Sequence, residues 1–93
     1  MTTASVAQRA ATQTAAYRVA AMLLGIGTVH FLAPKPFDQI VPAELPGEPR
    51  FYTYASGVAE IGVGVLLVPQ RTRRIAALAA VALTLPARSA DRP

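Results

Sequence analysis

Residues 51–69 form a nineteen-residue stretch of aliphatic, small, aromatic and hydroxyl side chains whose only charge is Glu60, at its tenth position. A helix rises about 1.5 Å per residue, so about 20 such residues cross a hydrocarbon core of roughly 30 Å. An ionised side chain at the centre of that core costs roughly 2.5–3.5 kcal/mol on insertion scales, and groups placed there face a protein interior, a partner or water. The stretch therefore predicts a membrane helix, and Glu60 is the first candidate for function.

Two more blocks follow the same pattern. Residues 19–34 and 75–87 carry no Asp, Glu, Lys or Arg, and 53% of the 93 residues are hydrophobic. Apolar blocks separated by charged or proline-rich joints predict a single all-α membrane domain rather than a soluble core. The first span reads as residues 15–33, with Tyr17 and Arg18 at the interface, and the second as 51–69. The third block, 75–87, has thirteen residues and is too short to cross undistorted. It reads as a short or partial helix, or the beginning of a span. Residues 1–14 are a polar amino-terminal extension, frayed or helical, and 88–93 a polar tail.

The chain has no cysteine, which excludes thiol catalysis and disulfides within it. Its net charge of +4 comes from arginines at block ends, without a basic face interleaved with aromatics, so nucleic acid is not an expected partner. A cleaved leader is disfavoured, because His30, Phe31, Leu32, Ala33 and Pro34 stand where small residues should precede a cleavage site. No phosphate loop, nucleophile triad or metal-spaced cluster is present, and no independent catalytic activity is expected.

The joint at residues 34–50 holds five of the eight prolines, which forbids a long helix. One short amphipathic turn can start at Pro36, with Phe37, Ile40 and Val41 on one side and Lys35, Asp38 and Gln39 elsewhere. It is expected on the membrane surface or capping the helices. Arg9, Arg18, Arg71, Arg73 and Arg74 outnumber Lys35 and Arg50, which places the amino terminus in the cytoplasm and the proline-rich joint outside. Arg71, Arg73 and Arg74 read as a topology or lipid anchor, and Phe51, Tyr52 and Tyr54 as an aromatic belt.

Gly57, Glu60 and Gly64 share one helix face, with Ser56 one turn from Glu60. Small residues around a carboxyl let a second backbone approach, so Ser56, Gly57 and Gly64 form the expected helix interface. Glu60 then either hydrogen-bonds a neighbouring helix or takes part in binding or proton handling. His30, the only histidine, is the other candidate. Counted from the outer ends of the two spans, it lies about six residues, or roughly 9 Å, shallower than Glu60. Contact would need tilt, a deeper first helix or a bridging water. Two such groups are too few for a metal site.

Residues 27–34 (G-T-V-H-F-L-A-P), 36–42 (P-F-D-Q-I-V-P), Leu45-Pro46 and 56–64 (S-G-V-A-E-I-G-V-G), followed by Pro69 and the arginines, resemble the DoxX-like family of small bacterial integral membrane proteins. The likeness covers about residues 17–83. It implies a four-helix membrane bundle in the bacterial plasma membrane, with some members linked to thiosulfate:quinone oxidoreduction and others to redox or thiol homeostasis alongside soluble oxidative-stress enzymes. His30 and Glu60 match polar positions of the first two helices of that family. Here the third helix turns into Pro86 and a polar tail where relatives add a fourth, so the resemblance implies a carboxyl-terminally truncated member. The resulting expectation is an accessory or assembly component in the bilayer, associated with itself or with other membrane or redox proteins. The alternatives are a quinone-linked oxidoreductase subunit in which Glu60 and His30 exchange protons, with quinone implied by the resemblance alone, and a small transporter or leak pathway.

Overall fold

The computed structural model describes residues 2–90, with side chains as far as Thr84. Every regular element in it is helical: α1 (Thr3–Leu32), α2 (Lys35–Ile40), α3 (Pro49–Leu67), a 3-10 turn (Gln70–Thr72) and α4 (Arg73–Ala90). The Thr2 hydroxyl accepts from the Ser5 N–H and caps α1 at its start. Pro34 follows its end, where α2 begins with proline in its first turn. Pro49 opens α3 in the same way, and Pro69 stands just beyond its close.

Helix α3 runs antiparallel to α1, and α4 packs back along α3. The first contact is set by absent side chains. A Cβ on Gly57 would lie 2.9 Å from the His30 Cβ and 3.0 Å from the Gly27 carbonyl oxygen, and one on Gly27 would lie 2.9 Å from the Gly57 oxygen. Gly64 continues the seam against Ala20 and Leu24. Backbones this close need glycine on both helices.

Little else is enclosed. Ala20, Val63 and Ala76 are the buried apolar residues, whereas Met22, Leu32, Val58 and Leu78 are each more than 60% exposed. The accessible surface is 7116 Å², against about 5,200 Å² for a soluble monomer of this mass. Among the described residues α1 is the one helix both long and apolar enough to cross a membrane.

Several boundaries differ from those read in the sequence. The polar extension is not separate from the first span: α1 is continuous from Thr3, because Ala, Gln and Arg favour helix whether or not lipid surrounds them. Helix α3 begins and ends two residues earlier than 51–69, between its flanking prolines. The third helix is Arg73–Ala90 rather than 75–87, since a change from apolar to polar side chains does not end a backbone hydrogen-bond ladder. Of the expected tail, residues 91–93 lie outside the described residues.

The glycine seam gives a direct comparison. Gly57→Ala should cost about 1–3 kcal/mol, because the new methyl meets Phe31, His30 and the α1 backbone. Gly62→Ala, where the methyl meets open space, should be neutral or stabilising by about 0.5–1 kcal/mol. Thermal unfolding of both variants in one detergent checks the difference.

Candidate functional site

The close seam brings the two candidate side chains together. His30 Nδ1 lies 3.8 Å from Glu60 Oε2, within ion-pair range but longer than a hydrogen bond. The expected 9 Å offset fails for two reasons. Gly27 sits against both Gly57 and Ile61, so the turn carrying Glu60 meets the turn of α1 just below His30. Side chains also tilt toward the amino end of their own helix. In an antiparallel pair His30 and Glu60 therefore lean toward each other, and neither helix tilt nor water is required.

The imidazole is fixed from two sides. Its Nδ1 lies 2.7 Å from the Ile26 carbonyl oxygen, which can only accept, so Nδ1 carries the proton. Phe37 of α2 stacks on the ring with centroids 3.7 Å apart. The His30 side chain is 7% exposed and that of Glu60 31%. Glu60 Oε2 is buried without a hydrogen-bond partner among the described residues, an arrangement that costs free energy unless a donor reaches it.

Two openings flank the pair. A cleft of about 270 Å³ is bordered by His30, Phe37, Val41, Tyr52, Thr53 and Ser56. A second, of about 280 Å³, runs between α3 and α4 and is bordered by Ser56, Ala59, Glu60 and Leu83. Ser56, expected at the helix interface, is exposed and lies between the two openings, while Gly57 and Gly64 face α1. His30 Nε2 has no hydrogen-bond partner among the described residues. The imidazole thus has one nitrogen beside Glu60 and a second available to an incoming donor.

The outer joint is latched over this site by residues that sequence reasoning did not single out. Asp38 accepts from Arg50 Nε at 2.8 Å and from the buried Thr53 hydroxyl at 2.5 Å. Asp38 therefore turns inward, while Ile40, expected on the covered side of the short helix, is 78% exposed. A signal was present: Arg50 and Thr53 are three residues apart on one helix face, opposite an acid in a short joint. Tyr52 donates to the Pro46 carbonyl, and Phe31 stacks on Tyr54, so the aromatic belt also fastens the joint.

At the other end, Arg73 also closes a helix end. Its Nε and Nη2 donate to the carbonyls of Leu67 and Val68, and Thr72 donates to Leu66. These contacts satisfy carbonyls that the end of α3 leaves unpaired. Arg71 and Arg74 remain exposed.

The described chain is thus an all-helical protein with one membrane-length apolar helix and a His–Glu contact where two helices meet. Residues 19–90 match the model of a domain of unknown function, DUF8561, and the chain belongs to that family. No curated protein and no solved structure matches it.

The Thr53 hydroxyl, foremost, and the Arg50 guanidinium hold the Asp38 carboxyl below its ordinary range. A depressed folded value means that the latch contributes stability in full above the unfolded Asp value of ~3.9 and loses it as pH falls through the lower folded value. Protection of the α2 amides from hydrogen exchange, taken relative to the intrinsic rate at each pH, should fall below about pH 4. Asp38→Asn should remove most of that acid dependence.

Proposed function

We propose that this chain is a small multi-pass membrane protein of DoxX-like type, an accessory component of a larger assembly linked to redox or thiol homeostasis. Helix α1 crosses the bilayer of a bacterial plasma membrane, and α3, less apolar over a membrane-length window because it carries Arg50 and Glu60, crosses against it, with the amino terminus and the Arg71, Arg73 and Arg74 turn on the cytoplasmic side. The apolar exterior and the DoxX-like residue string support this reading, as does the surplus of arginines at one end.

The observation that carries it is the state of Glu60. Its buried oxygen lacks a hydrogen-bond donor among the described residues, α1 covers one side of it, and an open groove with Leu83 lies on the other. A carboxyl in lipid needs fuller enclosure than this. A further helix, from a second copy or another membrane protein, would supply it.

One observation favours a second reading, a quinone-linked subunit. His30 touches Glu60 through one nitrogen and borders the outer cleft. A proton released by a quinol in that cleft can be taken up at Nε2 and passed from Nδ1 to the carboxylate once a small shift or a bridging water closes the 3.8 Å gap, and the reverse sequence would serve quinone reduction.

Glu60→Gln separates the two. It keeps the shape of the side chain but replaces one acceptor oxygen with an amide donor and removes the acid. For an assembly role, association in mild detergent should weaken roughly 3- to 20-fold, the range of hydrogen bonds between membrane helices, with quinone-dependent turnover unaffected. Intact association with abolished quinone-dependent turnover would reject the accessory role in favour of the second reading.

A further inference from the structure

A separate site lies at the opposite end of the helices from His30. The polar first half of α1 and the turn before α4 enclose a cleft of about 430 Å³ whose border includes Arg9, Arg73, Gln8, Gln13 and Gln70. Two guanidinium groups share it. Arg73 has Nε and Nη2 committed to the end of α3, and its guanidinium lies 5.9 Å from the Tyr17 ring. Arg9 has no acidic partner among the described residues.

The chain cannot readily neutralise these charges itself. Residues 1–37 contain no carboxylate side chain, and neither do residues 61–90, although these segments carry Arg9, Arg18, Arg71, Arg73 and Arg74. The described acids stand at the other end or in mid-span. Glutamine amides beside the arginines add neutral donors, which suits a multi-oxygen anion better than a carboxylate side chain or a halide. Depth points the same way: Tyr17 and Arg18 mark the start of the apolar run, so the cleft lies at and just outside the level of lipid headgroups.

We propose that the cleft between the first half of α1 and the α3–α4 turn binds a phosphate group, held by Arg9 and Arg73 with glutamine amides completing its shell. The group belongs either to an anionic phospholipid or to a free phosphate. The site is independent of the His30–Glu60 contact.

The test uses the full chain in a neutral detergent with two probes. Native mass spectrometry follows retained phosphatidylglycerol against phosphatidylcholine, and thermal melts follow inorganic phosphate against chloride at equal ionic strength. Saturable one-to-one binding of at least one phosphate probe is expected, and the responding probe distinguishes lipid from free anion. Arg9→Gln should weaken it about fivefold, the contribution of one arginine near a membrane surface, and Arg71→Gln should leave it unchanged. Arg73→Gln also uncaps α3, so Arg9→Gln carries the comparison. Absence of saturable binding to both probes, or equal losses for Arg9→Gln and Arg71→Gln, would overturn the proposal.

Discussion

The close approach of α1 and α3 at Gly27 and Gly57 is the constraint on which the other features depend. With only three buried apolar residues among those described, the described helices have no large core to hold them in register. Register comes instead from backbone proximity, which any side chain at Gly57 would prevent. Once the two glycines are opposed, the antiparallel tilt of side chains carries His30 and Glu60 toward one another. The contact that defines the site is a consequence of the glycine seam and not a separate design.

The remaining polar contacts serve that seam from its two ends. At one end, Asp38 ties the proline-rich joint to Arg50 and Thr53, and Phe37 rests on the imidazole. At the other end, Thr72 and Arg73 close the carbonyl end of α3 and turn the chain into α4. Between these fastenings the surface is apolar and uncovered, and Glu60 looks into a groove that α4 only borders.

The helical class and the close packing at Gly57 and Gly64 are readable from the spacing of small residues around one charge. Contacts that cross the joint were less accessible. The separation of His30 and Glu60 was misjudged because counting residues from span ends assumes level ends and ignores side-chain tilt; a shift of one turn is enough to change separation into contact. The amphipathic pattern places Asp38 off the apolar side of the short helix, and its partners Arg50 and Thr53 lie on the next helix, beyond the reach of a local pattern. Arg73 was grouped with its neighbours by charge, and only the geometry of the helix end shows that its guanidinium caps α3. Local periodicity reports which face a residue occupies, whereas pairing across a turn depends on where the chain returns.

The geometry of the central contact can be measured in the environment where it is expected to matter. Rotational-echo magnetic resonance between labelled His30 Nδ1 and the Glu60 side-chain carboxyl carbon, with the chain in lipid bilayers, reports their separation directly. Strong dephasing is expected, in keeping with the 3.8 Å between Nδ1 and Oε2. No measurable dipolar coupling would contradict the register set by Gly27 and Gly57, and with it the His30–Glu60 site.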